Sequence, residues 1–316
     1  MKKPATHPRA FTLVELLPAM VLLTLLGFII AQMTGATSRT TRLSNQLVDT
    51  ASQARLVFGC LEGDIAGLVK RPDVPFEARN AALGAVPLLR FVSGSPAAGS
   101  RLGSAANRGI SILAYEVAAH ADNQNRPCLL RAGKAVPWAM TGYFGLTDLG
   151  LPLSFSGAGF PSSLLPQSAD FDVLAPGVLR LVIGFQLYPD NQPVTLQDGT
   201  TLPKAQGQVV YSPPVRTAYA YRGTSSVQVV DLSRVAALVA GVAVVDVTSL
   251  RLLDADQATA LGSAFGVPAT DVLPVAAWEA QAMSPTTLPG SVPLAARQSL
   301  RVFQHFFPVT PFASRL

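Results

Sequence analysis

The most regular hydrophobic pattern in this chain is an apolar segment close to the N-terminus. From Phe11 to Met33 there are 23 residues and a single formal charge, Glu15. As a helix this segment is about 34 Å long, which covers a hydrocarbon core of about 30 Å. Lys2, Lys3 and Arg9 precede it without any acidic residue. The positive-inside rule therefore predicts a cytoplasmic N-terminus, with everything after the span outside.

Two simpler segments share this pattern, a cleaved secretory signal and an ordinary signal anchor. A secretory signal has an apolar region of about 7 to 15 residues before a small-residue cleavage site, which is shorter than the segment found here. A signal anchor has the right length but gives Glu15 no role. A carboxylate at membrane depth costs about 2.5 to 3.5 kcal/mol and usually has a partner.

Beyond the span, a second hydrophobic pattern has the period of one helical face. Apolar residues recur at intervals of 4, 4, 3, 4, 3, 4 and 3, which is helical spacing. They are Leu43, Leu47, Ala51, Ala54, Phe58, Leu61, Ile65 and Leu68. Charged residues, Asp49 and Asp64 among them, occupy the other faces, so the pattern predicts an amphipathic continuation of the membrane helix that ends at Arg71-Pro72.

The rest of the chain alternates β-rich segments with loops rich in Gly, Pro and Ser. Val178 to Leu187 alternates as a half-buried strand, and Gly109 to Val117 and Val235 to Val247 are further strands. Ser299 to Phe306 fits a last strand or helix, and Ser249 to Phe265 a short helix. Irregular stretches are expected over residues 90–108 and 285–293. The fold class is α+β, a long N-terminal helix packed on an antiparallel β-sheet head.

The start of the apolar segment carries a recognisable motif. Residues Phe11 to Glu15 read Phe-Thr-Leu-Val-Glu, and after a basic leader they resemble the class III signal of type IV prepilins and pseudopilins. The resemblance implies that a prepilin peptidase cuts between Ala10 and Phe11 and methylates the new amine. It also implies that the Glu15 carboxylate neutralises the α-amine of a neighbouring subunit in a filament.

Two residues depart from the usual form of this signal. Ala10 stands where the family mostly has Gly, so a small side chain is kept. Pro18 lies in the first two turns of the mature helix, where it is expected to kink the helix or confine regular helix to its C-terminal side, unless it lies close enough to the start to be tolerated.

The wider layout resembles the larger, J-type minor pseudopilins of type II secretion and the prepilin-like group called Verru_Chthon cassette protein C. The acidic turn at Leu61 to Ile65, Tyr115 in an early strand, and Phe303 to Pro308 carry this similarity. It implies a leader (1–10), a transmembrane helix (11–35), its amphipathic continuation (36–71) and a periplasmic head (72–316). The implied partners are the peptidase, other pilin-like subunits and the lipid of the inner membrane. The alternative is a single-span, membrane-anchored extracytoplasmic binding domain.

Composition and cysteine content add two points. Removing the leader lowers the formal charge from +5 to +2, and no basic cluster with interleaved aromatic residues indicates nucleic acid binding. Cys60 and Cys128 are the only cysteines. Outside the cytoplasm they form either a disulfide or two unpaired buried thiols, and the sequence leaves both alternatives open.

No motif predicts catalysis, a cofactor or a metal. His7, His120 and His305 are the only histidines, and nothing in the sequence brings them together. Nucleophile, zinc and phosphate-loop motifs are absent. The paired acids Asp170/Asp172 and Asp254/Asp256 lack the Gly and distal Glu of a calcium loop. The sequence therefore predicts a structural protein that is not an enzyme.

Overall fold

The computed structural model describes residues 13–70, 76–80, 88–94, 110–136, 170–196, 198–217, 228–230, 232–284 and 288–309. The chain divides into two compact units, Met1–Val48 and Asp49–Leu316. Helix α1 (Leu13–Ala66) has 54 residues and belongs to both. The fold is mixed, with a long apolar N-terminal helix and antiparallel sheets, as the predicted α+β class requires.

Pro18 lies inside α1, with helix on both sides of it. Of the alternatives given for Pro18, the structure therefore has the one in which it lies close enough to the start of the helix to be tolerated. Pro18 is the sixth residue of the helix, so its missing N–H removes only one bond of the first turns. At the other end α1 ends at Ala66, before Arg71 and Pro72, which lie outside the described residues. After the helix, the Val69 N–H donates to the carbonyl of Val92 at 2.9 Å and the Gly67 carbonyl accepts from the N–H of Gly94 at 2.7 Å.

A five-stranded antiparallel sheet, sheet 1, forms one part of the second unit, in the order β1-β2-β3-β4-β5. Its strands are β1 (Glu77–Arg79), β2 (Leu88–Ser93), β3 (Ile110–His120), β4 (Arg126–Val136) and β5 (Phe171–Ala175). The predicted strand at 109–117 is confirmed and is longer. The loop predicted over residues 90–108 is wrong at its start, because residues 90–93 belong to β2. Residues 95–108 lie outside the described residues.

Sheet 2 is a four-stranded antiparallel sheet in the order β13-β12-β6-β9. Its strands are β6 (Val178–Leu187), β9 (Val209–Val210), β12 (Val235–Val244) and β13 (Arg301–Pro308). Two short ribbons, β7 (Val194–Thr195) with β8 (Thr201–Leu202) and β10 (Val215–Thr217) with β11 (Gln228–Val230), lie outside these sheets. The strand predicted at 178–187 is confirmed, and the one predicted at 235–247 is confirmed as far as Val244. The last segment, predicted as a strand or a helix, is a strand from Arg301 onward.

Four short helices cover one face of sheet 2. They are α2 (Val247–Leu250), α3 (Ala255–Ser263), α4 (Pro274–Met283) and α5 (Leu294–Ser299), and they pack on that face around Phe265 and Trp278. The helix predicted from Ser249 to Phe265 is confirmed only over α3 (Ala255–Ser263), because Ser249 belongs to a separate helix, α2. Two helices form here because each has its own N-cap: Asp246 caps the N-terminus of α2, and Asp254 caps the N-terminus of α3 in a capping box.

Strand β6 is buried on both faces, so its prediction as half-buried is wrong. One face meets the main core and the other meets the helices. A register shift between β6 and β12 turns Leu179 to the helical side, away from Leu181 and Ile183. The helical layer, which the sequence pattern did not reveal, is what covers the second face.

The main core of the second unit joins the end of α1 to both sheets. Ala54, Val57, Leu61 and Ile65 of α1 pack there with residues of sheet 1 and sheet 2. The predicted apolar stripe is thus confirmed from residue 54 onward. Leu43 and Leu47 are 44% and 47% exposed, so the first part of the predicted stripe is not buried in this chain.

Candidate functional site

The predicted processing site falls at the edge of the described structure. Ala10 and Phe11 lie outside the described residues, and Glu15 is the third residue of α1. Two parts of α1 then bear on function: an apolar surface in the first unit and a polar attachment in the second.

The apolar surface of α1 extends from Leu16 to Met33. Its twelve large hydrophobic side chains are between 46% and 69% exposed. Among the described residues, α1 is the one helix long and apolar enough to cross a membrane, with a mean hydropathy of 2.2 in its most apolar window. A patch of this size requires apolar surroundings, either lipid or other helices.

Polar side chains within and just after this surface form hydrogen bonds inside the helix. The Thr24 hydroxyl donates to the carbonyl of Val21 at 2.9 Å, and the Thr34 hydroxyl donates to the carbonyl of Ile30 at 2.8 Å. Each hydroxyl therefore has an acceptor without water, as a segment in hydrocarbon needs.

A buried charged cluster attaches the end of α1 to sheet 1; we call Asp64, Tyr115 and Arg131 the Asp64 cluster. Arg131 donates from Nε to Asp64 Oδ2 and from a terminal nitrogen to Oδ1, both at 2.9 Å. The Tyr115 hydroxyl donates to Asp64 Oδ2 and accepts from Arg131 Nε at 3.1 Å. The Asp64 and Arg131 side chains are only 7% and 13% exposed, so this is a bidentate ion pair with little solvent.

Strand register explains how the cluster forms. Tyr115 on β3 and Arg131 on β4 are directly paired, so both side chains leave the same face of sheet 1, the face that α1 covers. Burial and the neighbouring Asp64 raise the pKa of Tyr115, which keeps the phenol a donor. Burial lowers the pKa of Arg131, whereas its hydrogen bonds to Asp64 and Tyr115 and the negative charges of these groups raise it. The raising effects are larger, so the pKa of Arg131 is raised overall. The geometry therefore favours one neutral phenol and one ion pair.

A second polar attachment lies three to four turns earlier on α1. Asp49 accepts at 2.8 Å from the N–H of Val247, the first residue of α2. Gln53 accepts at 2.8 Å from the N–H of Gly177 in the turn between β5 and β6. A Cβ at Gly177 would collide with the carbonyl oxygen of Val245, so glycine permits this close approach. The helix is thus bonded to the head at both ends of its buried stretch.

Both cysteines are free thiols. Arg131 faces α1, so Cys128, three residues earlier on β4, faces the opposite side of sheet 1, where it packs with Ala114 and Leu130. Cys60 lies on α1, on the other side of the sheet. The thiols are thus unpaired in the structure, and Cys128 is buried whereas Cys60 is half-buried. Burial raises the pKa of Cys128 to about 11 and also raises that of Cys60.

The histidines occupy separate elements. His120 accepts from the N–H of Asp122 at 3.3 Å, within the turn that joins β3 to β4. His305 is on β13 and stacks on Phe58 of α1, with ring centroids 5.5 Å apart. His7 lies outside the described residues. These contacts give both described histidines a local structural role.

Among the paired acids, Asp254 has a local role. Asp254 accepts at 2.7 Å from the N–H of Gln257 as the cap of α3. Asp172 lies on β5 opposite Arg131 in the strand register. Within the described ranges, no group of three or more His, Cys, Asp or Glu side chains is placed to hold a metal ion.

The Asp64 cluster is the feature that the sequence pattern missed. The pattern assigned Asp64 to a polar face, yet Asp64 is 5% exposed. Asp64 lies three residues after Leu61 and four before Leu68, so it stands beside the apolar stripe on the helix. This spacing was the sequence feature from which its burial could have been predicted.

Comparisons of this chain with protein-family models, with curated proteins and with solved structures found no match.

Proposed function

We propose that this chain is a prepilin-like structural subunit, cut between Ala10 and Phe11, N-methylated at Phe11 and assembled through its N-terminal helix into a pseudopilus or type IV pilus-like filament. The observation that carries this proposal is Glu15, the only charge between Phe11 and Met33. A lone acid in a membrane helix needs a counter-charge, and the amine created by cleavage before Phe11 supplies one.

The described part of α1 supports an assembly role. Its apolar surface is continuous and exposed, and the hydroxyls of Thr24 and Thr34 are satisfied within the helix. Such a surface is suited to lipid before assembly and to the helices of other subunits afterwards. No catalytic role is proposed, since packing alone accounts for these features.

The second unit supports a head domain built on the end of the helix. Its core takes apolar residues from α1 and from both sheets, and polar bonds at Asp49, Gln53 and Asp64 add to that attachment. The large head favours a minor subunit of a protein secretion filament, held in the inner membrane by one span with its head in the periplasm.

The discriminating experiment replaces the acid and keeps the leader. Glu15→Leu is expected to be cleaved normally but to co-purify with other prepilin-like proteins from detergent-extracted membranes about 100-fold less. The substitution leaves the α-amine of the neighbouring subunit without its counter-charge, and an uncompensated charge at membrane depth costs roughly 2.5–3.5 kcal/mol. Gln32→Leu, a polar-to-apolar change at the far end of the same segment, is the matched control and should leave co-purification unchanged.

Two outcomes contradict the proposal. Equal co-purification of Glu15→Leu and the unsubstituted chain would show that the acid makes no assembly contact and would favour the membrane-anchored binding domain. Equal loss in both Glu15→Leu and Gln32→Leu would show that the span tolerates no change, and the specific role of the acid would then be rejected.

A further inference from the structure

Strand β13 lies at the edge of sheet 2 in the part of the chain that the structure describes, where the strand order is β13-β12-β6-β9. All eight of its residues pair with β12, from Arg301 opposite Val244 to Pro308 opposite Ala237, without a register shift. Its other side has no described strand beside it. An edge strand of this kind presents a row of unpaired backbone N–H and C=O groups.

The hydrogen bonds after the strand show which backbone groups of β13 face outward. The N–H of Val309 donates to the carbonyl of Ala236, on the β12 side, and backbone groups alternate in direction along a strand. Three N–H groups of β13 therefore point away from β12. They belong to Val302, Gln304 and Phe306. Within the described ranges, none of these three groups donates a hydrogen bond to another backbone carbonyl.

The middle of β13 lacks the features that usually protect an edge strand. Natural edges discourage pairing with charged side chains, Pro or a bulge. Here Arg301 and Pro308 stand at the two ends, and the six residues between them include no Lys, Arg, Asp or Glu. Phe306, a large hydrophobic residue, is 37% exposed. The open backbone and the exposed ring beside it are therefore suited to pairing with another strand.

Helices contact β13 on both faces of the sheet. On one face Phe58 of α1 stacks on His305, with ring centroids 5.5 Å apart. On the other face the N–H of Val275, near the start of α4, donates to the side chain of Gln304 at 3.1 Å. The edge is thus held in place before any partner binds, which lowers the entropic cost of binding.

We propose that the outer edge of β13 binds an extended segment of a different protein by β-strand addition. The three outward N–H groups and the carbonyls beside them form the main-chain bonds, and apolar side chains of the added segment cover Phe306. All of these groups lie in the unit Asp49–Leu316, so the site does not depend on cleavage before Phe11 or on filament assembly.

Charge favours a different protein over a second copy of this chain. Arg301 donates to the carbonyls of Gln298 and Leu300, and β13 has no acidic residue that a paired second copy could place opposite it. Opposite charges in directly facing strand positions stabilise a sheet. The added segment is therefore expected to carry an acidic residue opposite Arg301.

The first test is residue-resolved hydrogen exchange on the unsubstituted full chain in detergent micelles. The three outward N–H groups of β13 are expected to exchange about 100-fold faster than the three that face β12. The groups that face β12 belong to Phe303, His305 and Phe307. Equal rates in the two sets would overturn the proposal. If both sets were slow, another part of this chain would already occupy the edge, and if both were fast, β13 would be no stable template.

The second test identifies the bound segment in the protein's own living cells. Phe306 is replaced by p-benzoylphenylalanine, which keeps an aromatic ring and forms a covalent bond to its neighbours on illumination. Mass spectrometry of the linked peptides is expected to find an extended segment of a different protein, with an acidic residue placed opposite Arg301. Val267, which is 39% exposed and lies outside β13, is the matched control site and should not give this product.

Two substitutions at one position test whether the backbone of β13 carries the binding. Gln304→Pro and Gln304→Ala both lose the side-chain bond to α4, but only Pro loses the outward N–H, a change that an edge strand tolerates. The cross-link yield should be about 10-fold lower in Gln304→Pro than in Gln304→Ala. Three results would overturn the proposal: no cross-link at Phe306, a cross-link to β13 of a second copy, or equal yields in the two variants. The hydrogen-exchange test needs no substitution and decides the matter if Gln304→Pro fails to fold.

Discussion

Removing the charge of Asp64 tests how strongly the end of α1 is held. Asp64→Asn keeps the size of the side chain but leaves the guanidinium of Arg131 buried, with its side chain 13% exposed, opposite a neutral amide. Breaking one partner of a buried pair costs about 3–5 kcal/mol. For a unit of this size each kcal/mol shifts Tm by about 2–4 °C, so we expect Tm to fall by about 6–20 °C.

The assays are thermal unfolding, which gives Tm, and urea unfolding, which gives the free energy of unfolding, both on the full chain in micelles and followed by tryptophan fluorescence. The chain has two tryptophans, and with Trp138→Phe as background the signal comes from Trp278, which is 1% exposed in the core between sheet 2 and the helices. Glu62→Gln serves as the matched control, since Glu62 is exposed, and it should change stability by less than about 0.5 kcal/mol. A loss below about 1 kcal/mol for Asp64→Asn would refute the description of this cluster as a buried ion pair.

Two further predictions concern the thiols. Cys128 is 0% exposed and its pKa is about 11, so at pH 8 only about a thousandth of it is thiolate. Site-resolved mass spectrometry should therefore find Cys60 alkylated by iodoacetamide well before Cys128. Equal rates of alkylation would be inconsistent with the burial of Cys128. The folded state favours the protonated thiol of Cys128, so its contribution to stability is complete below pH 9 and declines as pH rises toward 11. Cys128→Ala should therefore flatten this part of the Tm-pH curve, and an unchanged slope would show that Cys128 does not contribute to it.

The residues that obey a simple period were the predictable ones. Strands β6 and β12 were found because apolar residues recur along them, and the buried stretch of α1 was found from residue 54 onward because Leu61 and Ile65 keep helical spacing. These patterns can be recognised in the sequence because each one reflects the burial of one face of a single helix or strand.

The second face of β6 and the Asp64 cluster depend on elements far apart in sequence. The alternation over 178–187 predicted a solvent-exposed face of β6, but α2–α5, drawn from residues 247–299, cover that side of sheet 2. Arg131 and Tyr115 meet Asp64 only because β3 and β4 pair in one register. No local period encodes such contacts, so the sequence alone predicted a half-buried strand and an exposed acid.

The break between α2 and α3 was missed for a different reason. Asp254 followed by Gln257 is a capping box, a start signal that lies within an otherwise helical pattern. The sequence prediction, which began the helix at Ser249, did not use this signal. The capping residues, rather than hydrophobicity, mark where this helix begins.

The proposed role depends most directly on the N-terminus of the mature protein. Intact mass and N-terminal sequencing of the chain, extracted from the membranes of its own cells, measure the cut and the modification together. The account predicts a polypeptide that begins at Phe11 and carries one methyl group on its α-amine. A chain that still begins at Met1, or at any residue other than Phe11, would contradict the filament-subunit proposal and leave a single-span anchored domain.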